Sequence, residues 1–485
     1  MLQAKDIKTV NELQEYFSKP EKVVDYLIDL VKFFEIKSVF KPLNSIKKRG
    51  YSLSNVLALF ISLPFLHHGS VHALFRSGSR NLAEGGKDVY YRAKNREDIG
   101  WRKLLVNVVK RFERIVAAKG EVTEVGKRCL IIDDSLLSKT GRKIEYSGRL
   151  WDHVTHRSLL GLRLLLLCYY DGKSTIPVDF SIHRERGKNE QKPYGLSRKH
   201  LKQQHKKDRT EGSQGHQRSM EVDESKAEIG LQMIKRALRY LKVDYVLMDS
   251  WFTSERMIGC ILGHHKQRVN LIGMMKMGNA KYEYKGKFYD AQALLKSVKR
   301  TIGIKRSRKI KSAYIVVDVL YKDYPVRLYF SRFGQRGKWH LLLSTDRSLS
   351  YVQMMELYQI RWTIEVLFKE CKGFLNLGHC QSKNFDAQIA DTTVTMIQYI
   401  LLTLKKRFDQ YETRGEIFRN TSEQVGERRL HVRLWELLIV IMRTIVDTLG
   451  IIIEDIDMAI TKVINQNKLA GILELLSPEA KIILT

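Results

Sequence analysis

The sequence predicts an α/β protein: a mixed sheet carrying a β-rich insertion, with helical regions at both ends. Three observations lead there. Apolar residues fall at helical spacing before residue 120, in Leu53–Phe65 and Trp101–Ala117, and helical patterning returns over residues 383–485. Strand-length apolar runs alternate with helical segments between 121 and 275. A second set of alternating strands occupies residues 276–348, just before an isolated helix at 349–382.

Residues 1–120 form the first helical region, with 22 Lys/Arg against 12 Asp/Glu. A DNA-contacting domain and a plain packing domain both fit it. Arg128–Ile132 reads as a short strand ending in Asp133-Asp134. Leu159–Tyr170 and Thr175–Ile182, joined by Asp171-Gly172, read as a hairpin. A helix from Glu221 to Leu241 leads to the strand Tyr245–Met248, which ends in Asp249. A helix over Thr253–Leu262 and a strand over Val269–Met274 complete this part. Residues 183–219 hold eleven Lys/Arg and four Asp/Glu. They read as a flexible, partly disordered basic loop, either a solvated linker or a phosphate-contacting arm. In the insertion, residues 296–311 carry eight basic and no acidic residues. The strands Ala313–Tyr321, Val326–Phe333 and Trp339–Ser344 follow. The last 35 residues carry three Lys against five Asp/Glu, which favours a packing or dimerisation role for 383–485 over a DNA surface.

Composition narrows the function. The 485 residues suffice for two to four domains. The net charge of +31 favours a polyanionic partner, by default nucleic acid. Cys129, Cys168, Cys260, Cys371 and Cys380 form no C-x-x-C pair, which argues against structural zinc or a disulfide framework and for a reducing, cytoplasmic setting. The N-terminal stretch is too charged for a signal peptide. Leu434–Ile453 is interrupted by Glu436, Arg443 and Asp447, and reads as an amphipathic core helix, not a membrane span. No P-loop or G-x-G-x-x-G occurs. His153 and His156 lack any H-E-x-x-H context and read as structural. Tyr90, Tyr91 and Arg92 give a slight DNA-contact signal.

The chemistry concentrates in the late helix. Tyr358, Arg361, Glu365 and Lys372 stand at spacings 3, 4 and 7. On a continuous α-helix they share an arc of about 60°. A carboxylate flanked by phosphate-binding groups suits metal-dependent work on a nucleic-acid backbone. Lys369 lies four residues after Glu365 and reads as its ion-pair partner. Asp133, Asp249 and Glu365 can converge from two strand ends and a helix. Three carboxylates are hard ligands suited to Mg²⁺ or Mn²⁺. Strand alternation allows only one of Asp133 and Asp134 to reach such a site.

These residues resemble a known family. Tyr358-x2-Arg361-x3-Glu365-x6-Lys372 is similar to the Y-x2-R-x3-E-x6-K signature of DDE transposases of bacterial cut-and-paste insertion sequences. Ile131-Ile132-Asp133-Asp134-Ser135 resembles the family's first-aspartate strand and favours Asp133. Val246–Phe252 resembles its second-aspartate strand. Trp151–His153 through Pro177–Phe180 resembles its strand hairpin. The resemblance covers about residues 85–405.

It implies an RNase H-like fold with the insertion between the second Asp and the Glu. It implies that Asp133, Asp249 and Glu365 hold two Mg²⁺ ions, with Mn²⁺ as a substitute. Tyr358, Arg361 and Lys372 would contact DNA phosphates, Trp339 is placed where some members stack a flipped base, and Trp362, following Arg361 as in the family, would contact DNA. The implied activity is cleavage at the terminal inverted repeats of an element, then joining of the 3′ ends to target DNA. The protein would act as a homodimer on double-stranded DNA, in the cytoplasm at the nucleoid. Two other readings stand beside it: a catalytically silent DNA-binding regulator, and a nuclease of the same fold that does not join strands.

Overall fold

A computed structural model describes residues 39–46, 49–64, 68–76, 83–120, 127–152, 155–264, 266–408 and 414. The N-terminal helices are α1 (Leu53–Ser62), α2 (Val71–Phe75), α3 (Lys87–Lys94) and α4 (Trp101–Ala118). Four strands follow: β1 (Cys129–Ser138), β2 (Gly148–Asp152), β3 (Arg157–Tyr170) and β4 (Thr175–His183). Then come α5 (Arg198–Lys202), α6 (Gln214–Met220), α7 (Lys226–Ala237), β5 (Tyr245–Met248), α8 (Glu255–Leu262) and β6 (Asn270–Met275). The insertion supplies β7 (Tyr282–Tyr284), β8 (Lys287–Tyr289), α9 (Ala291–Thr301), β9 (Lys305–Ser307), β10 (Ser312–Tyr321), β11 (Tyr324–Phe333) and β12 (Trp339–Ser344). The chain closes with α10 (Tyr351–Gln359), α11 (Thr363–Phe374) and α12 (Phe385–Phe408).

The β3–β4 turn forms for the reason the sequence suggests. Asp171 accepts hydrogen bonds from the Lys173 and Ser174 amides, and Gly172 supplies the positive φ of 100°. β1 pairs antiparallel with β3, and β3 with β4. β5 and β6 are parallel to β1. The order β4-β3-β1-β5-β6, three antiparallel strands and then two parallel ones, is the RNase H-like arrangement. β4 is buried along its whole length, beneath α4, α7 and α12. Residues Leu164–Cys168 of β3 are likewise inaccessible, so apolar burial on both sides anchors the sheet.

Four features add to or differ from expectation. β1 does not stop at Asp133, because β3 keeps pairing with it as far as Ser138↔Gly161. The insertion continues the same sheet: β12 pairs with β6, Leu343 opposite Gly273, so one sheet runs on through β11, β10, β7 and β8. It also contains α9, whose Leu294, Leu295 and Val298 are buried. Residues 183–219 carry the short helices α5 and α6, and part of their charge is tied to the rest of the chain: Arg209 binds Glu145 and Asp386, and Lys207 binds Asp386, whereas Arg186, Lys188, Lys192 and Lys206 are exposed. Sequence composition registers the charges but not these distant partners.

α12 is buried on nearly every side, against α1, α3, α4 and β4, so this part of residues 383–485 serves the chain's own core. The rest of the expected dimerisation region, including Leu434–Ile453, lies outside the described residues. No helix among the described residues is long and apolar enough to cross a membrane.

Candidate active site

The parallel register brings the two aspartates together. Ile132 of β1 is paired with Met248 of β5, so Asp133 and Asp249 are the next residues on neighbouring strands. Adjacent strands run about 4.8 Å apart. β5 ends there while β1 continues, which leaves Asp249 at the mouth of a turn. The Trp251 amide donates to Asp249 Oδ1 (2.9 Å), and the Thr253 hydroxyl donates to its carbonyl (2.8 Å). Gly273, opposite Met248 on β6, makes room for this turn, because a Cβ there would collide with the Thr253 side chain.

Asp133 and Ser135 share one face of β1, and α11 lies across that face. Arg361 Nη1 donates to Asp133 Oδ2 (2.8 Å) and its Nη2 to Glu365 Oε1 (2.9 Å). Lys372 Nζ donates to Ser135 Oγ (2.8 Å). Asp133 Oδ1 accepts from the Asp134 amide (2.8 Å). The Asp134 side chain takes different partners, Lys226 at 2.6 Å and Arg163 at 3.6 Å. Burial pushes the Asp133 carboxyl up to about 7, against the pull of Arg361, and the charges of Asp249 and Asp134 add to the rise. Asp133, Asp249, Ser135, Arg163 and Lys372 line a cleft of ≈ 570 Å³.

Tyr358 departs from its expected place. A 3₁₀ turn at Ile360–Trp362 separates α10 from α11. Three residues at three per turn rotate the chain roughly 60° further than an α-helix would. Tyr358 is therefore turned inward. It is 9% exposed, and its hydroxyl donates to the Met248 carbonyl (3.3 Å). It braces the end of β5 instead of facing a phosphate. Trp362 is 62% exposed beside Arg361. Trp339 lies between Lys299 and Arg332, their charges 5.0 and 5.2 Å from its ring centre. Lys369 is exposed, and its pairing with Glu365 is replaced by that of Arg361.

Among weaker candidates, Tyr90 is a core residue bonded to the Glu84 carbonyl, whereas Tyr91 is exposed. His156 sits in an exposed turn at φ 49°, and His153 lies outside the described residues. Two site neighbours escaped the sequence reading. Trp251 is 53% exposed two residues after Asp249, and Lys226 sits 4.2 Å from its ring centre. An aromatic so soon after a strand-end acid was the available signal for Trp251. Nothing in the sequence signals Lys226, which arrives from α7.

An RNase H-like sheet with acids on its adjacent central strands and a third on a crossing helix defines a class: nucleic-acid-cutting enzymes. The transposase DDE domain family matches residues 125–401, more than half of the chain, and the chain belongs to that family. No curated protein matches it. Among solved structures, the NurA nuclease from Sulfolobus solfataricus is similar over 57% of this chain and 86% of that one. Its identity is 10% and its TM-score 0.22, too slight a likeness to bear on function.

Proposed function

We propose that this chain is the transposase of an insertion sequence. It binds the terminal inverted repeats of its element, cuts the DNA at the ends, and joins the 3′ ends to target DNA. One observation carries the reading: Asp133 and Asp249 stand side by side on parallel strands, with Glu365 tied to Asp133 through Arg361.

The donors fit a divalent cation in kind. They are hard carboxylate oxygens. They are not preassembled: among the described residues no three His, Cys, Asp or Glu side chains stand close enough to hold a metal. Asp133, Asp249 and Glu365 would hold Mg²⁺, or Mn²⁺ in its place. The ions would supply an activated water or hydroxyl nucleophile and stabilise the leaving 3′-oxygen. The remaining roles belong to the chain's own groups. Arg361 and Lys372 bind backbone phosphates. Trp362, and Trp339 in the insertion, offer aromatic faces to bases. Tyr358 is a positioning residue for the end of β5. A homodimer on paired ends, in the cytoplasm at the nucleoid, completes the proposal.

The direct test uses supercoiled donor DNA carrying the sequences that flank the gene. Mg²⁺-dependent release of the element, and joining of pre-cleaved ends to a target plasmid, are expected. Cutting without joining would favour the nuclease reading. DNA binding without cutting would favour the silent regulator.

Lys372→Ala is expected to weaken duplex binding and to reduce the log–log salt slope by about one, the share of one phosphate contact. A slope equal to that of the unsubstituted protein would remove Lys372 from the phosphate-binding edge.

A further inference from the structure

Arg361 occupies an unusual place for a phosphate-binding residue. Its guanidinium holds two of the three carboxylates at once, Asp133 at 2.8 Å and Glu365 at 2.9 Å. The arrangement is well shielded, the Arg361 side chain being 13% exposed and that of Asp133 18%. Both Asp133 oxygens already accept a hydrogen bond, Oδ1 from the Asp134 amide and Oδ2 from Arg361. A guanidinium cation seated on two of the three carboxylates opposes a divalent cation there by charge repulsion and competes with it for the same acids.

We propose that Arg361 couples DNA binding to metal binding by exchanging the two carboxylates for a backbone phosphate. The inference rests on the reading of Asp133, Asp249 and Glu365 as metal ligands. A guanidinium fork matches a phosphate as well as it matches a carboxylate. Without DNA, Arg361 ties Asp133 to Glu365 and keeps the ligand set closed. With DNA, a phosphate takes over the guanidinium and frees one oxygen from each acid. The coupling is reciprocal: DNA tightens metal binding by the same factor as metal tightens DNA binding. The device disfavours a charged site in the absence of substrate. Lys372, on the same helix, holds the Ser135 hydroxyl and no acid, so it supplies a matched charge without the exchange.

The test measures Mn²⁺ affinity of the full chain, from loss of the free-ion electron paramagnetic resonance signal. It is made with and without a mixed-sequence duplex at low salt. The unsubstituted protein is expected to bind Mn²⁺ at least about tenfold more tightly with DNA. Arg361→Gln should bind about tenfold more tightly without DNA and gain less than about threefold from it. Lys372→Gln should need more duplex to saturate but, once saturated, should keep the unsubstituted gain in Mn²⁺ affinity. Arg361→Lys, which keeps the charge but loses the fork, should fall between; it also serves if the glutamine variant does not fold. A full DNA-dependent gain in Arg361→Gln would overturn the exchange. So would equal behaviour of Arg361→Gln and Lys372→Gln, which would leave only a general charge effect. Failure of the ligand reading looks different: Asp133→Asn and Asp249→Asn would then leave Mn²⁺ binding unchanged in an otherwise native chain.

Discussion

Asp133→Asn, Asp249→Asn and Glu365→Gln are each expected to lower cleavage of the element's ends by at least about a thousandfold, roughly 4 kcal/mol of barrier. Each exchange keeps the side-chain shape and removes one anionic oxygen donor. Duplex binding at moderate salt should persist, since phosphate contacts come from the basic groups. Asp134→Asn is the internal control. Asp134 is bonded to Lys226 and Arg163, so its loss should reach cleavage only through that network. Gel assays of donor cleavage, beside circular dichroism, check all four. Cleavage within about tenfold of the unsubstituted protein in any of the first three would remove that residue from the catalytic set.

The second large effect is on stability. Arg209→Ala is expected to cost about 3–5 kcal/mol, because it strands buried Glu145 and leaves Asp386 with Lys207 alone. The Arg209 side chain is 2% exposed, and those of its partners Glu145 and Asp386 are 4% and 2% exposed. Burial alone would raise the Glu145 carboxyl. The Arg209 hydrogen bonds, with the Phe385 amide, instead hold it below its ordinary value. Losing Arg209 therefore leaves a charge that must either be paired anew or take up a proton. A fall in Tm of roughly 5–10 °C is expected by calorimetry. A change under about 2 °C would mean that the network is dispensable. The result bears on function, because the network ties residues 183–219 to α12 and to Glu145, which precedes β2. That segment is part of the scaffold.

Much of the site was legible before any fold was known. Asp133 and Asp249 follow apolar runs short enough to be strands, and such acids stand out against β-branched and aliphatic neighbours. Arg361 and Glu365 are four residues apart, a spacing that survives in α11 and its preceding turn as a direct ion pair. The β3–β4 hairpin was legible from Asp171-Gly172. Tyr358 was misplaced because helical geometry was assumed through Ile360–Trp362. Nothing in those residue types reports that three of them take a tighter turn. The 183–219 segment was misread because composition records its charges but not their partners, which lie dozens to nearly 180 residues away.

The sequence alone singled out the residues proposed to carry the chemistry, because each carboxylate and cation stands out by local pattern and spacing. It also determined that strands precede the late helix. Only the tertiary structure decided how these groups meet. The parallel pairing of β1 with β5 sets Asp133 beside Asp249, and pairing of β12 with β6 carries the insertion on as more of the same sheet. The crossing of α11 over β1 joins Arg361 to Asp133, 228 residues earlier in the chain. Such contacts arise from long-range pairing and burial, which no local window of residues encodes. The one helix that looked continuous in sequence is divided by a 3₁₀ turn at Ile360–Trp362, and Tyr358 packs against the end of β5.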